Sequence, residues 1–282
     1  MGRIDALIDT HGLGDARAAI KAMLRPSIAL VPTPGRGSIG GHRLGGMPDL
    51  PLDLDWPTST EVAGAKLAFL LQLNLDDLDL GGLGLPTRGM LWLFIGQDEP
   101  ATNVEVRVFH REEPGPLLPC SEDAGFRSYA SLTPCTLFGA RQQALSGLGH
   151  HDPRLADLAQ SLLGEGKLAR ASRLGGPLLW HAHDPRLSPY VTHDLGRPDL
   201  VWESKRARDK QWTAITQRER REGAERWVPL IQLRSHPEAN LSFWDGGLLT
   251  VLVRADAARR GDVRVVYGSI NLSTGRHHAN GV

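Results

Sequence analysis

The sequence predicts an α+β fold made of two pseudo-equivalent halves, residues 1–145 and 146–282, with largely antiparallel strands and flanking helices. Three observations carry that expectation. Short motifs recur in the same order along the chain. Apolar runs of strand length follow tight turns, which favours antiparallel pairing. A helical pattern opens each half.

Taken in order, Ile4, Leu7 and Ile8 make one apolar helical turn before Gly12 and Gly14 interrupt it. Asp15 is expected to cap a second helix with Ala16, Ala19, Ile20 and Met23 on one face, and Pro26 to end it. Residues 32–51 are crowded with proline and glycine and read as a long loop. Leu67 to Leu73 and Met90 to Ile95 are continuous apolar runs, read as buried strands. Val104, Val106 and Val108 alternate with Glu105 and Arg107, the mark of a half-exposed strand. Asp152 caps a helix with Pro153 at its first position, and Leu155, Leu158, Ala159 and Leu162 share its inner face. Trp227 to Leu233 and Leu248 to Val253 are further buried strands. Asp256 caps a short turn ending at Gly261, and Val263, Val265 and Tyr267 alternate as a last half-exposed strand. The tail from Ser273 is expected to fray.

The repeat is long in period. Arg43-Leu44-Gly45-Gly46 recurs as Arg173-Leu174-Gly175-Gly176, and Leu71-Gln72-Leu73 as Ile231-Gln232-Leu233. Gly89-Met90-Leu91 recurs as Gly247-Leu248-Leu249, Asp98 as Asp256, and the alternating valines as Val263, Val265 and Tyr267. The offset is 130 at the glycine pairs, then 160, 158 and 159. An insertion in the second half accounts for the jump, and the charged, His-rich stretch 181–226 is its expected place.

Three stretches of the first half carry a family resemblance. They are Arg43 to Pro51 followed by Asp55-Trp56-Pro57, then Leu67 to Leu75, then Leu85-Pro86 with Gly89 to Phe94. The second half adds Trp227 to Leu233 and Trp244-Asp245-Gly246-Gly247-Leu248. Together they resemble the YwqG-like domain-of-unknown-function family, which is distantly similar to the programmed-cell-death-protein-two group. The resemblance implies a duplicated α+β arrangement and a protein-binding or chaperone-like module; some members also look like immunity proteins against toxins. The sequence departs from the family pattern where Trp244 and Asp245 are adjacent and the following strand, Thr250-Val251-Leu252, lacks aromatics.

Composition excludes several classes. Lys plus Arg and Asp plus Glu are both 32, so no global basic field draws nucleic acid to the chain. No apolar run approaches the roughly 20 residues needed to cross a bilayer, so no membrane partner is expected. The acidic, weakly apolar start argues against a secretory leader. Two cysteines in a chain of 282 residues do not make a disulfide framework, which places the protein in the cytoplasm. The charge is nevertheless polarised: net −6 between Asp49 and Gly82, and net +3 between Glu203 and Arg226. The basic stretch reads as a solvated helix with Glu–Arg pairs, or alternatively as an Arg-lined face around Trp212 for an acidic partner.

The expected function is a non-catalytic cytoplasmic binding module that recognises a protein or peptide. The glycine pairs are its most informative residues, because they admit positive φ or close backbone approach. The arginines before them suit a fork onto a carboxylate, or a local ion pair. Candidate binding residues are Arg43, Gly45, Gly46, Trp56, Gln72, Arg173, Gly175, Gly176, Gln232, Trp244 and Asp245. Each glutamine interrupts an apolar strand and needs partners for its amide, which the glycine loops are expected to supply. No cofactor is called for. The alternatives are a toxin-neutralising partner and a metal-dependent hydrolase, whose ligands would be His181, His183 and His193. No nucleophile elbow, zinc-protease motif or phosphate loop occurs, so no catalytic residue is assigned.

Overall fold

Eleven runs of β-forming, largely apolar sequence pair into one antiparallel sheet. The computed structural model describes residues 2–96, 102–120, 132–146, 152–179, 184–198, 215–244 and 246–271. The strands are β1 (Arg25–Pro34), β2 (Arg43–Leu44), β3 (Asp49–Pro51), β4 (Ala68–Asn74), β5 (Met90–Ile95), β6 (Thr102–Val104), β7 (Val106–Arg111), β8 (Leu117–Pro119), β9 (Cys135–Ala144), β10 (Ser172–Leu174), β11 (Trp227–Arg234), β12 (Leu248–Arg254) and β13 (Val266–Asn271). The large sheet runs β6-β13-β12-β11-β10-β1-β9-β2-β4-β5-β7, and β3 pairs with β8 in a separate ribbon. Six helices complete the α+β fold among the described residues: Arg3–Thr10, Arg17–Met23, Pro153–Leu162, Leu187–Pro189, Gln217–Ala224 and Ala255–Ala258. No helix among them is long and apolar enough to cross a membrane.

The sheet is nearly closed into a barrel. Its two end strands, β6 and β7, are separated in the chain by one residue, Glu105. That carboxylate is buried and accepts from Ser59 Oγ at 2.6 Å, Thr60 N at 2.7 Å and Thr60 Oγ1 at 2.9 Å. Burial would raise its pKa, but these bonds and nearby Arg107 bring it below the usual range. Glu105 therefore pins the seam instead of alternating outward as the sequence pattern suggests.

The continuous apolar runs are central strands. All six residues of β5 are buried, as are six of seven in β4 and in β12. A strand covered on both faces needs no polar alternation. Inward side chains such as Leu71, Leu93, Leu174, Ile231 and Val251 form the main core. Ile8, Leu13 and Ile20 from the first two helices pack with Leu158 and Leu162 of Pro153–Leu162 as a second layer. Asp152 caps that helix by accepting from Arg154 N, with Pro153 in its first turn.

Several sequence expectations are corrected. The supposed loop 32–51 holds the end of β1 and all of β2 and β3. In the alternating segment 104–108 the three valines are buried and Arg107 is half-exposed, as a half-exposed strand requires, and only Glu105 departs by being buried at the seam. The last strand begins at Val266, leaving Val263 and Val265 before it. Asp15 sits inside a 3-10 turn, and the helix after it has no side-chain cap. The described residues of 184–198 and 215–226 are helical or irregular and contribute nothing to the sheet. The charged helix Gln217–Ala224 has a Thr216/Glu219 capping box and an Arg218–Glu222 pair at 2.7 Å; Trp212 lies outside the described residues.

Candidate functional site

The glycine pairs organise two loops of matching geometry. Arg43 and Leu44 pair with Gln72 and Leu71, and Arg173 and Leu174 pair with Gln232 and Ile231. Both two-strand ladders are followed at once by glycines in the left-handed region: Gly45 and Gly46 at φ 69° and 67°, Gly175 and Gly176 at 64° and 82°. Gly45 N donates to Leu70 O, and Gly175 N to Leu230 O, both at 2.8 Å. Those carbonyls belong to the residues at which β4 and β11 shift register against their partners. A Cβ on Gly46 would lie 2.9 Å from Pro134 Cβ, and one on Gly176 2.5 Å from Ser27 Cβ. The glycines are thus required by backbone angle and by close packing.

Each loop then returns a backbone N–H to a glutamine. Gln72 Oε1 accepts from Asp49 N at 2.8 Å, and Gln232 Oε1 accepts from Leu179 N at 2.8 Å. Gln72 Nε2 donates to Gly41 O and to Asp49 Oδ2; Gln232 Nε2 donates to Pro177 O at 3.0 Å. Both glutamines are fully buried. Their amides are satisfied by the segments flanking the glycine turns, so they clip loop to sheet.

The arginines differ. Arg43 donates from Nε to Arg36 O and from Nη1 to Met47 O, and its Nη1 and Nη2 each reach an oxygen of Asp49 at 3.0 Å. Both side chains are almost wholly buried, at 3% and 1% exposed. Burial alone would raise the Asp49 pKa, but Arg43, Gln72 and the Gly40 N–H hold it below the usual range. Arg173 is buried too, yet among the described residues its side chain makes one hydrogen bond, from Nη2 to Leu168 O at 3.0 Å. Burial and the like charge of Arg234 push it down to about 10.

The remaining candidates are scattered. Trp56 donates from Nε1 to Leu67 O at 2.8 Å and meets Phe94 edge-on. Trp244 has φ 47°, is partly exposed, and its carbonyl accepts from Ser242 Oγ. Asp245, His181 and His183 lie outside the described residues. His193 stacks on Trp227 at 5.4 Å, with its pKa lowered first by burial.

Sequence reasoning missed Ser172 and His236. Ser172 Oγ and His236 Nε2 are 2.7 Å apart, and burial drives the imidazole down to about 4. The serine oxygen also accepts from Arg234 N at 3.0 Å, and both side chains are buried, so the pair ties β10 to the end of β11. Neither residue stands in a recognisable motif. On the surface, the apolar Leu52, Ile39 and Leu118 are exposed on or beside the β3–β8 ribbon, and Phe138 on β9.

A search of curated proteins finds no match to the chain. A family model does match, over residues 42–268, from just before the first Arg-Leu-Gly-Gly to β13. That span takes in both glycine loops, both glutamines and both buried arginines, and the chain belongs to the family described as domain of unknown function DUF1963.

Proposed function

We propose that this chain is a non-catalytic cytoplasmic binding module for a protein or peptide, built by internal duplication as two pseudo-equivalent halves and akin to the YwqG-like proteins. The exposed apolar surface around the β3–β8 ribbon carries the binding reading. Leu52 is 81% exposed, Ile39 60% and Leu118 49%, and a two-stranded ribbon has backbone edges to offer an extended peptide. The buried Ser172–His236 pair and the clipping glutamines argue for polar groups used in structure more than in catalysis. Two free cysteines suit a reducing compartment.

Duplication is supported by the strand order read outward from its centre. Beside β1 lie β10, β11, β12 and β13; beside β9 lie β2, β4, β5 and β7. The Arg–Gln registers, the bulges and the glycine-to-carbonyl bonds match position for position. β1 lies against β10, the second half's Arg-Leu strand, while β9, at the end of the first half, lies against β2.

The test is capture from native lysate with wild type and with a Leu52→Ser/Leu118→Ser variant of unchanged thermal stability. A partner retained by wild type and lost by the variant supports the reading. Equal capture by both, or none by wild type, removes it.

A further inference from the structure

Arg173 is 1% exposed, and among the described residues its Nε and Nη1 have no partner. Arg234 lies two places beyond Gln232, the strand partner of Arg173, so the two arginines rise from the same face of the sheet. The Nε of Arg234 is also buried without a partner. Among the described residues no carboxylate pairs with either one. A guanidinium in an apolar setting without a counter-ion is strongly disfavoured, and two side by side more so.

The first loop shows what is missing. There the N–H that binds the glutamine belongs to Asp49, whose carboxylate turns back onto the two Nη atoms of the arginine. In the second loop the N–H in that place belongs to Leu179, whose side chain joins Ala144, Leu163 and Leu248. The arginine, the glutamine and the turn are all retained, and the acid is absent.

We propose that Arg173 and Arg234 form a binding site for the carboxylate of an external ligand, which takes the place that Asp49 takes in the first loop. The buried, unpartnered Nη1 of Arg173 and Nε of Arg234 supply charge-assisted donors. Leu248, the strand partner of Arg234, packs with Leu163 and Leu179, so the surroundings of the acid would be apolar. Arg234 is only partly buried, so approach is from its side of the strand. Two sources share this chemistry: a free short aliphatic acid, and the C-terminal carboxylate of a peptide ending in an apolar residue. The site does not rest on the peptide-binding reading, since a free acid satisfies it equally.

The test is thermal unfolding of the full chain at constant ionic strength, with chloride replaced stepwise by butyrate, by N-acetyl-leucine, by a Leu-ended tripeptide or its C-terminal amide, or by phosphate. A ligand that binds only the folded state raises Tm in proportion to the logarithm of its concentration once above Kd. Carboxylates should raise Tm in wild type, with 1:1 stoichiometry by calorimetry. The slope should fall to the chloride baseline in Arg173→Met, and in Leu179→Asp, which supplies the acid internally. Arg234→Met should weaken binding at least tenfold and serves if Leu179→Asp does not fold. Butyrate against the tripeptide identifies the source, and the amide should be inert. No response to any carboxylate, a response to phosphate alone, or an undiminished response in Arg173→Met would overturn the proposal.

Discussion

Asp49→Asn tests how much one buried charge contributes to this fold. The substitution keeps shape and removes charge. Four bonds converge on the carboxylate: two from Arg43 at 3.0 Å, one from Gln72 at 2.8 Å and one from the Gly40 N–H at 2.9 Å. An asparagine turns an N–H₂ toward one set of those donors and leaves Arg43 buried without a counter-ion. Breaking a buried pair in this way costs about 3–5 kcal/mol, a large part of the roughly 5–15 kcal/mol that holds a typical protein folded. Arg173→Met should do the reverse, leaving stability unchanged or raising it, because it removes an uncompensated charge. Urea denaturation provides the measurement, with the midpoint shifting and the slope unchanged. The double substitution Arg43→Met/Asp49→Leu should recover most of the loss, since an apolar pair of similar volume is often as stable as the ion pair. A loss under about 1 kcal/mol for Asp49→Asn, or strictly additive single effects, would show that the pair is not coupled as its geometry implies.

Three further outcomes are expected. His236, held at about 4 by burial, stays neutral in the folded protein while an unfolded histidine gains a proton below about 6.5. Its depressed pKa makes stability fall as pH drops from about 6.5 to 4, by about 3 kcal/mol in total, and His236→Gln should flatten that part of a stability–pH curve. Gly89→Ala places a Cβ 2.0 Å from Arg111 O at φ 81°, so it should lower stability by several kcal/mol, or on the order of 3; Gly64→Ala, at φ 75° with nothing within 4 Å, should cost about 1. Burial raises the pKa of both thiols, so neither Cys120 nor Cys135 should react quickly with a thiol probe at neutral pH, and Cys135 only on unfolding.

The central strands were legible because burial on both faces leaves an unbroken apolar run, as in Met90 to Ile95. The capped helix was legible because Asp152-Pro153 satisfies local rules that tertiary structure does not change. Glu105 departs from the pattern for a tertiary reason: alternation marks a half-exposed strand, but closure at the seam covers this one polar position and supplies Ser59 and Thr60. The glutamine contacts followed from counting unsatisfied amide groups. The difference between Arg43 and Arg173 was present in the sequence as Asp49 against Leu179, at the same 130-residue offset as the glycine pairs. It went unread because an acid six residues after an arginine has no meaning until a glycine turn folds it back.

The two strands at the middle of the sheet were the least legible, for a reason that also bears on the fold. β1 contains Pro26, Pro32 and Pro34, and proline argues against a central strand because it has no N–H to donate. Yet β10 pairs only with Ile28, Ala29 and Leu30. All three prolines fall outside the stretch flanked on both sides, where β9 alone accompanies the strand from Arg25 to Pro34. A strand can therefore be central in the sheet and edge-like along most of its length. The same shortness leaves room for the two glycine loops, since Gly176 packs on Ser27 and Gly46 on Pro134 just where β10 and β2 give out. A longer β10 would run alongside the prolines of β1 and displace its own glycine loop. The short β10 strand and its glycine stop thus permit the proline content of β1 and set where the second loop turns back toward Gln232.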